Sequence, residues 1–205
     1  MTPLEEEISL MFNKLESKGI SKIIAFSGGS ESGEHAQNVA RESIDVMKEH
    51  SIAILTGGTT WGLPNAVTKY AQKLSISVIG VYPSRGKKHT SSHLDFALEV
   101  PPKYSESEWG DDSEVFAKLI HGVEIIGGGM GTMIEFAHIM KINETRIKYG
   151  TSPIYVAPVR TGEGVFSDVL HHLPIKHEVK MACMPTLPFT EGKSAANYLL
   201  EKVGL

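Results

Sequence analysis

Four glycines separate a short apolar run from an apolar segment of helical character near the middle of this chain. The run Val123 to Ile126 has the β-branched character of a buried strand, and the glycines lie within Gly127 to Gly131. Apolar side chains dominate Thr132 to Ile142, as in a mostly buried helix, and one carboxylate, Glu135, lies in its first turn. Glycine lets a ligand approach the backbone closely, and a helix start offers free N–H groups at its positive dipole end. This stretch therefore predicts an anion-binding junction.

Two earlier loops repeat this chemistry. Ser27-Gly28-Gly29-Ser30 and Thr56-Gly57-Gly58-Thr59-Thr60 each follow a predicted strand and combine glycines with hydroxyl groups. Because the carboxyl ends of parallel strands meet at one edge of an open sheet, where ligands bind, we expect all three loops to converge there. Together they predict a phosphate or carboxylate site formed by Gly28, Gly29, Ser30, Gly57, Gly58, Thr59, Thr60, Gly128, Gly129, Met130, Gly131 and Thr132.

Strand and helix patterns alternate along the chain. Helices are predicted at 4–18, 34–50, 63–74, 113–121, from 132 onward, and at 164–172 and 193–203. Strands are predicted at 21–26, 52–55, 77–82, 94–100, 123–126 and 153–156, with a last extended piece at 184–189 and loops at 83–93 and 101–112. Repeated strand–loop–helix units predict an α/β fold that is Rossmann-like and doubly wound, with a mainly parallel sheet flanked by helices.

The 205 residues, 41% of them hydrophobic, are sufficient for one domain with a sizeable core. We predict a single domain over 1–205, with an N-terminal helix at 1–20, a core at 21–160 and a C-terminal helical extension at 161–205. The net charge of −4 gives no support for nucleic-acid or anionic-membrane binding. The single Cys183 excludes an intrachain disulfide, and the N-terminal residues lack a signal pattern, so we expect a cytoplasmic protein.

The glycine loops do not fit the two commonest nucleotide motifs. They lack the Gly-x-Gly-x-x-Gly fingerprint with its acidic partner, and no Gly-Lys-Ser/Thr follows them as in a P-loop. An ordinary dehydrogenase or NTPase is therefore disfavoured, and we expect no cofactor and no metal site.

The sequence Gly127-Gly-Gly-Met-Gly-Thr-Met-Ile-Glu135 resembles the Pro-Gly-Gly-x-Gly-Thr-x-x-Glu signature of the LOG family, long labelled lysine decarboxylase-like. The first loop resembles that family's Gly-Gly-Ser turn, and the segment from Thr56 to Leu63 resembles its second glycine turn. The likeness covers residues 22–160. It implies membership of the wider SLOG superfamily, whose Rossmann-like fold is associated with binding nucleotides and their derivatives. Some LOG proteins are phosphoribohydrolases. If this chain shares their activity, the resemblance implies that Glu135 is catalytic.

The chain departs from the LOG pattern at several positions. Gly127 replaces the family proline, and Ile134 replaces the first of its two glutamates. LOG enzymes also carry an Arg-Lys pair shortly before the signature, whereas here no arginine lies between Arg85 and Arg146. Since that arginine is associated with holding phosphate and assisting ribosyl transfer, its absence favours nucleotide binding over hydrolysis. If the chain is a hydrolase, Lys88 or Arg85 is the candidate replacement.

A second likeness concerns the segments from His89 to Val100 and from Ser107 to Ser113. Both resemble the TRPM-type branch of the superfamily and its prokaryotic relatives. This likeness implies ADP-ribose or another NAD-derived nucleotide as the ligand.

Several side chains have two interpretations. Glu135 either meets the helix dipole or faces the cleft, where it contacts a ribose hydroxyl or stabilises an oxocarbenium-like transition state. Trp61 either packs between helices or lines the cleft and stacks on a base. Arg85 and Lys88 belong to the one basic cluster, which is either a solvated loop or closes over the cleft to neutralise a diphosphate. Thr132 is a candidate helix cap and phosphate contact, and Trp109 begins either a second lid or a helix lead-in.

Two functions remain open from the sequence. The first is a binding protein for a phosphorylated nucleotide derivative such as a nucleoside monophosphate or ADP-ribose. The second is a LOG-type phosphoribohydrolase that cleaves the N-glycosidic bond of a nucleoside 5′-monophosphate. The resemblance also implies a homodimer, and the apolar side chains at Phe136, Ile139, Met140 and Ile142 suit either a dimer interface or an ordinary core.

Overall fold

A computed structural model describes residues 1–103, 110–162 and 165–205. Within these ranges the strands are β1 (Lys22–Gly28), β2 (Ile52–Thr56), β3 (Ser77–Pro83), β4 (Phe96–Val100), β5 (Gly122–Ile126) and β6 (Tyr155–Val159). They form one sheet in the order β4-β3-β2-β1-β5-β6, and every neighbouring pair is parallel. This confirms the predicted α/β, Rossmann-like, single-domain architecture.

Helices cover both faces of the sheet. They are α1 (Pro3–Ser17), α2 (Glu34–Met47), α3 (Gly62–Lys73), α4 (Ser113–Leu119), α5 (Met130–Lys148), α6 (Phe166–Val169), α7 (His177–Cys183) and α8 (Gly192–Val203), with short 3₁₀ turns at Ser84–His89 and Leu170–His172. One hydrophobic cluster joins the sheet to α1, α4, α5, α6 and α7, and the other joins it to α2, α3 and α8. The core is therefore a helix–sheet–helix sandwich.

Strand β1 shows how the sheet serves both clusters. Ile23 and Ala25 pack into one cluster, and Ile24 and Phe26 pack into the other. Successive side chains of a strand point to opposite faces, so a strand buried on both sides needs a continuous apolar run. That requirement explains why the strands of this chain read as short apolar runs with little alternation.

The strand order reverses beside β1. From β1 the chain proceeds outward through β2, β3 and β4, then returns to the other side of β1 for β5 and β6. Gly28 pairs with Ile126, so β1 and β5 end at the same level and their following loops begin side by side. A reversal of this kind opens a crevice at the carboxyl ends of the two strands, where ligands bind in open α/β sheets.

Some local predictions differ from the structure. The predicted loop 83–93 contains the 3₁₀ turn Ser84–His89, and β4 begins at Phe96 rather than at residue 94. Helix α7 was not predicted, because its inward face in seven residues is only Val179 and Cys183, one turn apart. The extended piece at 184–189 makes a single bridge, between Phe189 and Val159, and does not form a strand of the sheet.

Two predictions fall on residues outside the described ranges. Trp109, the first residue of the candidate second lid, and Gly164, the first residue of a predicted helix, both lie there. Within the described ranges, no helix combines the length and apolar character needed to cross a bilayer.

Candidate functional site

A cleft of about 810 Å³ opens where β1 and β5 end. All three predicted glycine loops contribute to it. The predicted residues that line it are Gly28, Gly29, Ser30, Gly57, Thr59, Trp61, Gly128, Gly129, Met130, Gly131, Thr132 and Glu135. Four predicted site residues are not among its described lining: Gly58, Thr60, Arg85 and Lys88.

The first loop is fixed against the start of α3. The N–H group of Leu63 donates to the carbonyl oxygen of Gly29 at 3.0 Å. Gly62 has φ +62°, and a Cβ there would lie 2.3 Å from that same oxygen. Only glycine therefore permits this close packing, since any side chain would displace the first loop from the cleft.

The third loop is fixed by the start of α6. The N–H group of Gly127 donates to Ser167 Oγ at 2.9 Å, and the N–H group of Phe166 donates to the Gly128 carbonyl at 3.0 Å. Gly128 has φ +94°, and a Cβ there would lie 2.4 Å from Thr132 Oγ. The loop is thus held in a conformation that aims the start of α5 at the cleft.

Helices α3 and α5 both begin at the cleft without a side-chain cap. Trp61 is the N-cap residue of α3 and makes no side-chain hydrogen bond to its helix, and Gly129, the N-cap residue of α5, has no side chain. Of the eight described α-helices, α1 alone has a side-chain cap, in which Thr2 Oγ1 accepts from the N–H group of Glu5. Among the longer uncapped helices, α3 and α5 are distinguished by beginning at the cleft. The prediction that Thr132 caps α5 is wrong, because the helix begins two residues earlier. The first N–H groups of both helices therefore lack an intrahelical partner. In α3 the N–H group of Leu63 is already bonded to Gly29, and Pro64 has no N–H group.

Glu135 points from the first turns of α5 into the cleft. Its carboxyl accepts a hydrogen bond from Ser27 Oγ at the end of β1. Burial raises the pKa of Glu135 to about 8, and the neighbouring Asp112 carboxyl acts in the same direction, outweighing the lowering effect of the Ser27 hydrogen bond. At neutral pH this side chain is therefore largely a neutral carboxylic acid.

Asp112 forms the second acidic side chain of the cleft, and we refer to Asp112 and Glu135 as the carboxyl pair. Asp112 is 7% exposed, and burial raises its pKa to about 6, with a further contribution from Asp111. The N–H group of Gly110 donates to Asp112 Oδ1 at 3.2 Å. Both carboxylate oxygens of Asp111 are buried and have no hydrogen-bond partner among the described residues. The cleft thus concentrates acidic groups in a poorly solvated place.

A hydrogen-bonded chain attaches the Asp112 segment to α5. Ser113 Oγ donates to the Gly110 carbonyl at 2.5 Å, and His138 Nδ1 lies 3.0 Å from Ser113 Oγ. Since the hydroxyl hydrogen is directed at the carbonyl, Nδ1 is the donor to Ser113. His138 therefore supports the segment that carries Asp112. Within the described ranges, no cluster of three His, Cys, Asp or Glu side chains could hold a metal ion.

The basic segment, residues 85–89, packs on the second glycine loop at the rim of the cleft. The N–H group of Thr60 donates to the His89 carbonyl at 2.9 Å, and the rings of Trp61 and His89 meet edge to face at 4.5 Å. Lys87 pairs with Glu99 at 2.7 Å. Neither lysine nor arginine contributes to the described lining of the cleft.

Sequence reasoning missed the contribution of Ser27 and Asp112. Ser27 was included in a glycine loop, yet in the structure its hydroxyl holds the central carboxylate. Asp112 lies in a segment without helical or strand periodicity. The only sequence signal for a site residue there is the neighbouring acid Asp111 with a glycine before it. A pair of adjacent acids before a short helix is more often a solvated lead-in than a buried group.

A parallel sheet with a glycine-lined cleft at its switch point defines a Rossmann-like small-molecule-binding architecture. The profile of the SLOG cluster4 family matches residues 21–162. The chain therefore belongs to the SLOG cluster4 family, which agrees with the resemblance seen in the sequence.

Solved structures share the fold at low sequence identity. A structural genomics target designated TM1055 has a TM-score of 0.68 at 16% identity, covering 88% of this chain and 99% of its own. The molybdenum cofactor binding protein of Rippkaea orientalis has a TM-score of 0.62 at 16% identity, with coverages of 89% and 97%. The molybdenum cofactor carrier protein of Chlamydomonas reinhardtii has a TM-score of 0.61 at 16% identity, with coverages of 90% and 99%. No curated protein sequence matches the chain.

Proposed function

We propose that the cleft binds a phosphorylated, nucleotide-like small molecule, with a phosphate at the start of α5. The observation that carries this proposal is the uncapped N-terminus of α5, whose first residues, Met130 to Thr132, line the cleft. Free N–H groups at the positive end of a nineteen-residue helix form an anion site.

The glycines around this helix start support a closely approaching ligand. A Cβ on Gly129 or Gly131 would meet no atom of the described residues within 4 Å, and the same is true of Gly57 across the cleft. Protein packing therefore does not require glycine at these three positions, in contrast to Gly62 and Gly128. A ligand that contacts the backbone gives each of them a reason to lack a side chain.

The family and the fold support the same class of ligand. The chain belongs to a family within the SLOG superfamily, and two proteins of similar fold are named for binding the molybdenum cofactor. These names apply to those proteins. For this chain they support a small-molecule ligand, and the phosphate site narrows the proposal to phosphorylated molecules.

A ligand panel tests this function directly. The protein is incubated with AMP, other nucleoside monophosphates, NAD and ADP-ribose, and its thermal unfolding is followed for each. Ligands that bind only the native state raise the melting temperature in a concentration-dependent way. We expect stabilisation by at least one phosphorylated nucleotide and none by the corresponding unphosphorylated nucleoside. Equal effects of nucleoside and nucleotide would contradict a phosphate site.

The carboxyl pair favours a second candidate, hydrolysis of an N-glycosidic bond. Glycosidases place two carboxyl groups at the reacting carbon, one of them protonated to act as the acid. Here burial keeps Glu135 protonated to about pH 8, whereas Asp112, with a pKa of about 6, is mostly ionised at neutral pH. In such a reaction the C1′–N bond breaks and Glu135 gives its proton to the leaving base. The oxygen of a water molecule bonds to C1′, and the proton that this water loses passes to the Asp112 carboxylate.

Base release from nucleoside monophosphates separates the two candidates. Stabilisation by nucleotides without release of free base supports the binding protein. Release of base that is lost in Glu135→Gln supports the hydrolase. The glutamine variant retains an acceptor for Ser27 but has no acidic proton, so its effect isolates the chemical role of the carboxyl.

We also propose a homodimer in the cytoplasm. Of the apolar side chains first considered for an interface, Phe136, Ile139 and Met140 are buried in the core of the single chain, and Ile142 is partly buried against it. Exposed apolar side chains on α5 are Met130, Met133 and Ile134, exposed by 73%, 38% and 38%. These support a contact near the cleft. Light scattering after size exclusion is expected to give twice 22.3 kDa, and a 22.3 kDa species alone contradicts the dimer.

A further inference from the structure

We propose that the cleft selects phosphorylated ligands of low negative charge, and that the carboxyl pair takes up a proton when such a ligand binds. Nucleoside monophosphates belong to the favoured class, and nucleoside triphosphates do not. This inference rests on the proposed phosphate site at the start of α5. It concerns which phosphorylated ligands bind at that site and how their affinity depends on pH.

The charges around the cleft are the first argument. Its described lining contains no lysine and no arginine, but it contains three acidic side chains, Glu31, Asp112 and Glu135. Residues 104–109 and 163–164, whose structure is not described, contain three glutamates and no basic residue. The sequence of those segments therefore supplies no cation to the site.

The positive potential of the site comes from backbone groups. The starts of α3 and α5 each act as about half a positive charge, which amounts to roughly one positive charge at the cleft. One phosphate group carries about 1.5 to 2 negative charges at neutral pH. The helix starts therefore offset roughly half to two thirds of the charge on a single phosphate, whereas each further phosphate adds negative charge facing acidic side chains.

The proton linkage follows from the same geometry. Ser27 faces Glu135 from β1, Asp112 and Asp111 approach it from the segment before α4, and Glu31 lines the cleft from the first loop. His138 approaches the same segment from α5, where it donates to Ser113. Ser27 and the acidic side chains cannot become positive, so an anion held at the helix starts lies beside acidic groups that repel it when they are ionised. A nearby negative charge raises the pKa of a carboxyl. Binding of the anion therefore draws protons onto the carboxyl pair.

The pH window follows from the ligand-free pKa values. Asp112, with its pKa of about 6, is ionised above that pH, and Glu135, with its pKa of about 8, ionises above pH 8. When the anion binds, an ionised carboxylate either takes up a proton or stays charged and repels the anion. Affinity is therefore expected to fall as pH rises from 6 to 9, by up to about tenfold per pH unit for each proton taken up.

Calorimetric titrations test the inference. AMP, ADP and ATP, without divalent cations, are titrated into the protein at pH 6, 7, 8 and 9 in two buffers of different ionisation enthalpy. We expect affinity to decrease from AMP to ATP and with rising pH, and the difference between buffers to report proton uptake. In Asp112→Asn the affinity is expected to change less between pH 6 and pH 8 than in the wild type. In Glu135→Gln it is expected to change less above pH 8.

A matched control uses Glu124, a fully buried carboxyl of β5 on the opposite face of the sheet. Burial also raises the pKa of Glu124 well above its ordinary value, but it does not line the cleft. Glu124→Gln is expected to keep the nucleotide preference and pH dependence of the wild type. Tight ATP binding or pH-independent AMP binding overturns the inference while the proposed function stands. Absence of binding by every nucleotide in the earlier panel overturns both.

Discussion

Ser27 donates a hydrogen bond to Glu135, although 108 positions separate them in the chain. Ser27 lies at the end of β1 and Glu135 in the first turns of α5, so the bond joins the two sides of the switch point. It sets the direction of the one carboxyl that the glycine signature predicted to be functional. The remaining geometry of the cleft depends on this junction between neighbouring strands.

Replacing Ser27 by alanine removes the donor to Glu135. Since that hydrogen bond favours the ionised carboxylate, the pKa of Glu135 is expected to rise further above 8. Loss of a buried partner is also expected to lower the free energy of unfolding by about 1 to 2 kcal/mol. A carbon-13 NMR titration of the Glu135 carboxyl measures the pKa, and an unchanged or lower value would contradict this hydrogen-bond role.

Stability is expected to depend on pH through the carboxyl pair. Folding raises the pKa of Glu135 from 4.5 to about 8 and that of Asp112 from 3.8 to about 6. Between the ordinary and the raised pKa of each group, the native state therefore binds more protons than the unfolded state. Their contribution is therefore most favourable at low pH and is lost as pH rises to 8. Glu135→Gln, which cannot ionise, is expected to exceed wild type by about 1–3 kcal/mol at pH 8.5.

Urea unfolding at pH 5 and pH 8.5 checks this difference. Near pH 5 the Glu135 carboxyl is protonated in the native state, and the two proteins are expected to be similar in stability. If the difference in the free energy of unfolding between the two proteins is the same at both pH values, the substitution acts through packing. A wild type more stable than the variant at pH 8.5 would contradict the raised pKa.

Gly62→Ala tests the contact between the first loop and α3. The new Cβ would lie 2.3 Å from the Gly29 carbonyl, at a residue whose φ is +62°. We expect a loss of about 1 to 3 kcal/mol in the free energy of unfolding and weaker nucleotide binding. Gly57→Ala is the control for stability, because a Cβ at that position meets nothing within 4 Å. Equal stability of the two variants would contradict the close packing.

Glu124→Met tests the cost of the buried carboxyl in the opposite layer. Glu124 Oε1 accepts from Ser43 Oγ at 2.7 Å, and within the described part of the chain Oε2 has no partner. Ser43 Oγ also lies 3.2 Å from the Val39 carbonyl, so it retains an acceptor in the variant. An apolar side chain of similar size is expected to raise the free energy of unfolding by about 1 to 3 kcal/mol at pH 7. Destabilisation measured by urea unfolding would indicate a structural need for the carboxyl.

The sequence was sufficient for the sheet and for the glycine part of the cleft. Apolar runs followed by glycine turns mark β1, β2 and β5, and parallel strands necessarily bring the following loops to one edge. Positions such as Gly57, Gly129 and Gly131 were therefore predictable. Helix α7 was not, since two inward side chains in seven residues give no periodic signal.

Side-chain placement was the part that sequence could not supply. Arg85 and Lys88 follow β3, which suggested a position over the cleft, but the 3₁₀ turn that carries them packs on the second loop at the rim. Asp112 is buried because the chain of contacts through Ser113 and His138 attaches its segment to α5. Both outcomes depend on tertiary contacts between residues distant in the chain, which local patterns do not encode.

Gly131→Ala gives the most direct test of the central claim that a phosphate binds at the start of α5. Alanine has a higher helix propensity than glycine, and its Cβ would contact none of the residues that the structure describes. The free energy of unfolding is therefore expected to rise by up to about 1 kcal/mol. If a phosphate contacts this backbone, calorimetry should show at least about tenfold weaker binding of the nucleotide that stabilises the wild type. Thr145→Ala, an exposed position near the other end of α5, should leave binding unchanged. A folded Gly131→Ala variant that binds the nucleotide as tightly as wild type would contradict the claim.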